Sequence, residues 1–334
     1  MQVNKANILK FIFFLGLGFL LIWLATHNLT EDDKINIGKA FEQADYFWVF
    51  VSLFLGILSH ISRAMRWKIL LQPLGFKPKT LNTFFAVMVG YLANYALPRL
   101  GEVSRCGVLT KYEKIPFTEG FGTVIAERVI DLICLIIIFT ITLFIQFDTL
   151  YAYTYNKILA PLFTKLYGFI QHPLYGIVAL GVVIALFLFI KSKSKKSDSM
   201  LSKGMNMIKG FGEGIKSVKD LQNPYLFIFH SVFIWTMYTA SLYVSFKCFN
   251  ETQHLGAEAS FAVLIFSTLG VIFVPGGTGA TQALVTETLT SIFSISFTIA
   301  FAFSWIMWAS QFVLFLVFGV ISLVLLPVFN KSVK

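Results

Sequence analysis

Six ionisable side chains interrupt apolar stretches of this chain: Arg99, Glu102 and Arg105 in one, and Glu127, Arg128 and Asp131 in another. Arginine presents a planar fork that matches phosphate or carboxylate oxygens bidentately, and a carboxylate can orient such a fork or carry a proton. Glu127 and Asp131 are four residues apart, so a helix puts both on one face, and Arg128 neighbours Asp131 at i, i+3. If the second stretch is a helix entering a bilayer near Phe117, residue 128 lies about 16 Å deep, close to the midplane. A charge there costs about 2.5–3.5 kcal/mol even on the lenient insertion scale, so it must face protein or water. An Arg–Asp clasp between helices is one reading. Three charges exceed what one clasp requires, which favours a substrate or proton site.

In the first stretch Glu102 stands three residues from both Arg99 and Arg105, so a local pair forms if the segment is helical. Asn94 can hydrogen-bond carbonyls freed by Pro98. Arg63 and Arg66 lie near the end of their apolar run, about 26 Å from its start, where snorkelling to the interface is expected. Without them, Arg99, Arg105 and Arg128 balance Glu102, Glu127 and Asp131. With them, two positive charges remain over. Such a surplus suits a phosphate-bearing ligand, although positive-inside bias alone also places arginines there.

A second interruption, Pro275-Gly276-Gly277-Thr278-Gly279, carries no charge. It offers bare amides, and a helix opening near Ala280 would point its positive dipole end at the break. Thr278, Thr281 and Gln282 add polar side chains. The run lacks the Gly-Lys-Ser/Thr ending of a phosphate-binding loop. Trp305, Trp308 and Gln311, on the last apolar run, could line the same cavity, though tryptophans more often serve as core packing.

These residues must be held by membrane elements. Hydrophobic residues make up 57% of the chain and charged ones 13%, and apolar runs of spanning length recur throughout. This excludes a soluble domain. The run from Ile8 to Ala25 exceeds a secretory h-region and lacks a cleavage site, so it is expected to be a retained helix. Cys106, Cys134 and Cys248 show no metal-ligand spacing and read as buried thiols. The net charge of +10 is concentrated in loops and termini, where positive-inside bias accounts for it, and nucleic acid is set aside.

Charge parity supplies a topology. With Lys5 and Lys10 inside, Tyr46–Leu71 returns to the cytoplasm and Phe117–Phe147 leaves it. The stretch from Leu81 to Tyr112 must therefore begin and end inside, as a hairpin turning at Pro98-Arg99-Leu100-Gly101. Ala257–Ser294 must begin and end outside, turning at Pro275–Gly279. The expected fold is an all-α polytopic membrane protein with inverted helix–hairpin–helix repeats and two broken or re-entrant hairpins. It forms one transmembrane domain over 1–334, with repeats at about 46–147 and 224–326 and a basic cytoplasmic linker at about 191–223. Within the linker, residues 200–218 pattern as a basic amphipathic surface helix. Both termini are expected in the cytoplasm, and the cell's inner membrane as the location.

Arg63-x-x-Arg66-Trp67, the run Asn94…Leu97-Pro98-Arg99-x-Gly101-Glu102-x-x-Arg105, Glu127-Arg128-x-x-Asp131 and Pro275-Gly276-Gly277-x-Gly279 occur in that order. Together they resemble the lysylphosphatidylglycerol synthase transmembrane-region family of flippase-like membrane proteins. The resemblance spans nearly the whole chain. It implies lipid translocation, and a stand-alone member without the aminoacyl-transferase domain. The family pattern is expected to have an acid three positions after the last glycine, where this chain has Gln282. That departure turns the expectation from a lysyl-lipid towards a plain anionic or isoprenoid-phosphate lipid.

The expected function is thus a non-enzymatic lipid transporter that needs no metal or other cofactor. Its partners are a lipid substrate and the bilayer, with a homo-oligomer or a lipid-modifying enzyme as further candidates. The alternatives are a membrane enzyme acting on a lipid-linked phosphate, with Glu127 and Asp131 holding a metal, and a non-transporting partner of a lipid-modifying enzyme.

Overall fold

A computed structural model describes residues 29–96, 100–147 and 221–330, together with isolated positions between 16 and 27 and between 155 and 164. The first apolar run, the run at 173–190, the basic segment at 200–218 and the tip Leu97-Pro98-Arg99 lie outside the described residues, apart from those isolated positions. The chain divides into two compact units, 1–145 with 217–334, and 146–216. The first unit contains both Pro/Gly breaks and all the ionisable side chains of the apolar stretches.

Among the described residues the elements of this unit are all helical: α1 Glu31–Gln43, α2 Tyr46–Leu71, α3 Thr80–Ala96, α4 Leu100–Glu113, α5 Phe117–Ile145, α6 Pro224–Ser245, α7 Ala257–Phe273, α8 Ala280–Ser291 and α9 Phe297–Phe329. Local chemistry sets several starts. Thr30 and Asp33 cap α1 reciprocally, the Asp33 amide donating to the Thr30 hydroxyl and the Thr30 amide to the Asp33 carboxylate. Asp45 accepts the Phe47 amide at the start of α2. Pro224 opens α6, where its missing N–H costs nothing.

Helices α2, α5, α6 and α9, with their flanking turns, are long and apolar enough to cross a membrane. Exposed apolar faces on α5 (Ile136, Ile137, Phe144) and α9 (Val313, Val320, Val324) are what such helices present to lipid. Helices α4 and α8 have 14 and 12 residues. Both fall short of the roughly 17–25 residues that a crossing requires.

The packing maps onto itself when α2–α5 is exchanged with α6–α9. Helix α2 packs along α6, the centre of the exchange. The contacts α3–α4, α4–α5, α3–α9 and α2–α3 recur as α7–α8, α8–α9, α7–α5 and α6–α7. One contact breaks the pattern: α2 also packs on α5, with no comparably close α6–α9 counterpart. The ionisable side chains gather at that extra contact. Small polar residues let α2 and α6 approach closely, as when the Ser52 and Ser241 hydroxyls meet at 2.8 Å.

Both hairpins close in the same way, over an eleven-residue interval. Gly90 of α3 meets Gly101 of α4, and Gly270 of α7 meets Thr281 of α8. A Cβ on Gly270 would stand 2.8 Å from the Thr281 Cα, which is backbone and cannot rotate away. Gly270→Val is expected to cost about 1–3 kcal/mol or more by overpacking. Gly107→Ala, where a Cβ meets nothing within 4 Å, should be neutral or slightly stabilising. Thermal midpoints of the two purified variants check the contrast.

Candidate functional site: an arginine-rich cluster and an uncharged break

Glu127 and Asp131 project from one face of α5 towards α2, as their spacing requires, and there they meet arginines. Arg63 Nη1 donates to Glu127 and to Asp131, both at 2.8 Å. Arg66 Nη2 donates to Asp131 at 2.6 Å and lies 3.4 Å from Glu127. From α4, Arg105 Nη2 donates to the other Glu127 oxygen at 2.5 Å, and its guanidinium stacks 3.9 Å above the Trp67 ring. Arg63, Arg66 and Arg105 are all buried, and Glu127 is fully so.

The expectation that Arg63 and Arg66 snorkel is therefore wrong. Depth along one helix does not reveal the carboxylates that a neighbouring helix supplies. The local Glu102–Arg105 pair gives way to pairing across helices: Arg105 is taken by Glu127, and Glu102 faces Arg128 on α5 at 3.6 Å, while the Arg99 alternative falls outside the described residues. The Asn94 side-chain oxygen accepts the Gly101 amide at 2.8 Å, satisfying a helix-start donor; the Pro98 tip, to which the expected carbonyl bond belongs, lies outside the described residues. Arg99 lies outside the described residues.

The charge balance of this cluster is uneven. Three buried guanidiniums face two buried carboxylates, and Arg128 and Glu102 form one further pair at the edge. Among the described residues the buried Nε atoms of Arg63, Arg66 and Arg105 have no partner, and neither does the buried Glu102 Oε2, so unpaired donors exceed unpaired acceptors there. Arg128 differs from the others. Its side chain is 42% exposed, and both its carboxylate contacts, to Glu102 and Asp131, are 3.6 Å long. It borders a small open cleft of about 10 Å³, room for about one water, lined also by Val87, Gly90, Tyr91, Asn94, Gly101 and Arg105. Surplus positive charge, spare donors and one loosely held guanidinium at the edge are features whose chemistry complements an anion.

The same geometry disfavours a metal on Glu127 and Asp131, since arginines occupy their oxygens and would repel a cation. Among the described residues no group of three histidine, cysteine, aspartate or glutamate side chains is placed to hold one.

At the second break Gly276, Gly277 and Gly279 all have positive φ, at 63°, 70° and 79°. Val274 and Thr278 are extended, so the chain leaves α7 and enters α8 through a tight uncharged turn. Trp308 of α9 donates its indole N–H to the Gly276 carbonyl at 2.8 Å. Gln282 is buried, and its Oε1 accepts the Gly279 amide at 2.8 Å. Trp305 packs edge-on against Trp308, and its own indole N–H is buried without a partner. Gln311 belongs elsewhere, its amide nitrogen lying beside Gly56 of α2. Thr278 is half-buried in the turn.

The two breaks touch through a residue that sequence reasoning missed. Tyr95, just before the first tip, packs on Gly276, where a Cβ would stand 2.5 Å from the ring, and against Trp308, Phe312 and Phe315. Tyr238 of α6, which accepts from Arg63 at 3.3 Å, and Ser231, which accepts from Arg66 at 3.3 Å, were also missed. Neither carries a spacing signal. Trp67 could have been found, because it follows Arg66 directly in the first motif.

The sequence model of the lysylphosphatidylglycerol synthase transmembrane region matches residues 7–328, which include both breaks and the whole cluster. The chain belongs to this family. Within the family it is similar to a UPF0104 membrane protein of Methanocaldococcus jannaschii, 32% identical over 133 residues. That match covers 39% of this chain and 37% of the relative. No solved structure matches. This member of the lysylphosphatidylglycerol synthase transmembrane-region family is a multi-pass membrane protein.

Proposed function

We propose that the protein moves a phosphate-bearing lipid across the cytoplasmic membrane, without itself catalysing a covalent step. The observation that carries this reading is the surplus positive charge of the α2–α5 cluster, opened to a cleft by Arg128. In this reading a lipid phosphate displaces the long Glu102 contact and takes the Arg128 fork, while the acyl chains stay in the bilayer. Glu127 and Asp131 hold the remaining arginines in place. Family membership supports a lipid-related role.

The exchangeable packing of α2–α5 and α6–α9 supports an inverted repeat, and the short α4 and α8 support re-entrant hairpins entering from opposite faces. Single cysteines test this directly. Lys111→Cys should react with an impermeant maleimide only from the cytoplasmic side, and His254→Cys only from the opposite side. Labelling of both from one side contradicts the inversion.

The lipid itself is tested by native mass spectrometry of the purified protein from nanodiscs containing phosphatidylglycerol and phosphatidylcholine. The wild type should retain the anionic lipid preferentially, and Arg128→Ala should lose that preference. Equal retention by both proteins would count against the cleft.

A further inference from the structure

We infer that the second break is a separate, uncharged oxyanion site, with the Gln282 amide nitrogen as its selective donor. The orientation of the Gln282 carboxamide is fixed chemically. Its partner is the Gly279 N–H, a donor, so the oxygen must face Gly279 and the NH₂ must point away. That Nε2 is buried, with the whole residue only 3% exposed, and it has no acceptor among the described residues. A buried amide donor left unpaired is destabilising, and a ligand oxygen would satisfy it.

The surroundings add donors and no competing acceptor charge. The carboxamide stands over the first turn of α8, where Gly279 has no side chain to cap the helix amides. The positive end of the helix dipole therefore faces the same place. Trp305 of α9 carries a second buried indole N–H without a partner among the described residues, and two contacts bracket its level along the helices. Trp308 bonds Gly276 before α8 begins, and Ser304 bonds Thr286 one turn beyond Gln282. Trp305 therefore lies along α9 between the levels that bracket Gln282. Donors alone, without lysine or arginine, suit a phosphate diester or other oxyanion held weakly enough to be released. The lipid phosphate of the proposed function and a free phosphate share this chemistry. The inference rests on the orphaned amide and stands apart from the arginine cleft.

Thr278→Cys provides a reporter within the break, read as maleimide modification of the peptide containing residue 278 in the full-length protein. Inorganic phosphate in detergent, or phosphatidylglycerol in place of phosphatidylcholine in nanodiscs, should slow its alkylation. Protection by phosphate alone points to a free anion, and protection by the lipid alone to a headgroup. Either supports the site, and protection by neither overturns it. Gln282→Glu keeps an oxygen for Gly279 but replaces the donor with negative charge. Where it folds, it should lose protection at least about tenfold, the worth of one hydrogen bond to a charged group. Unchanged protection overturns the assignment. If Gln282→Glu does not fold, Trp305→Phe decides, with weakened protection expected and unchanged protection contradicting the site. Arg128→Ala separates the two readings: protection at residue 278 that survives this change belongs to the second break, and its disappearance there overturns the claim of a separate site.

Discussion

Glu127→Gln should destabilise the helical core by about 3–5 kcal/mol, the usual cost of removing one partner from a buried ion pair. The carboxylate it removes is fully buried and receives Arg63 and Arg105 directly, with Arg66 at 3.4 Å. Glutamine keeps the shape, but its NH₂ must face a guanidinium, donor against donor. Asp131 would then be the lone buried carboxylate among three buried arginines. Because α2, α4 and α5 meet at this residue, the loss should appear as a lower thermal midpoint and as faster unfolding in denaturing detergent. Glu102→Gln is the contrast. Its contact to Arg128 is long and near the surface, and such pairs contribute about 0–1 kcal/mol. Equal midpoints for the two variants would show that the buried arginines do not depend on Glu127.

Arg128→Ala should do the reverse, leaving stability within about 1 kcal/mol while removing activity. The side chain is part-exposed and its ion contacts lie beyond hydrogen-bond length, so little folding energy rests on it. If it holds lipid phosphate, a hydrogen bond to a charged group worth about 1.5–3 kcal/mol is lost, or roughly 10–150-fold in rate. Arg128→Lys should recover only part of this, since an ammonium keeps the charge and loses the bidentate fork.

Much of the fold was legible in the sequence. Apolar runs gave the helices at 46–71, 117–145, 224–245 and 297–329 to within a few residues, and the Pro/Gly breaks gave the paired helices on either side of each. Helix α1 escaped because its 31–43 run is polar. Its one signal is the Thr30-x-x-Asp33 capping box. The site was legible as a set of deep charges but not as a set of partners. Partners depend on which helices become neighbours and how each is rotated, and periodicity along one helix contains neither. Arg63 and Arg66 therefore read as interfacial, and Glu102 as a local partner of Arg99 or Arg105. Gln282 stood out as a polar side chain beside the second break and as a departure from a family pattern. Its cap on Gly279 and its orphaned nitrogen required the turn itself.

The central claim is that the arginine cleft carries a lipid phosphate across the bilayer. It is tested most directly by the transbilayer movement of a headgroup-labelled phosphatidylglycerol in proteoliposomes, with a labelled phosphatidylcholine alongside. Wild-type protein should accelerate exchange of the anionic lipid, and Arg128→Ala, reconstituted to the same density and equally folded, should slow it at least about tenfold. Equal rates for the two proteins across several anionic lipids would contradict the account.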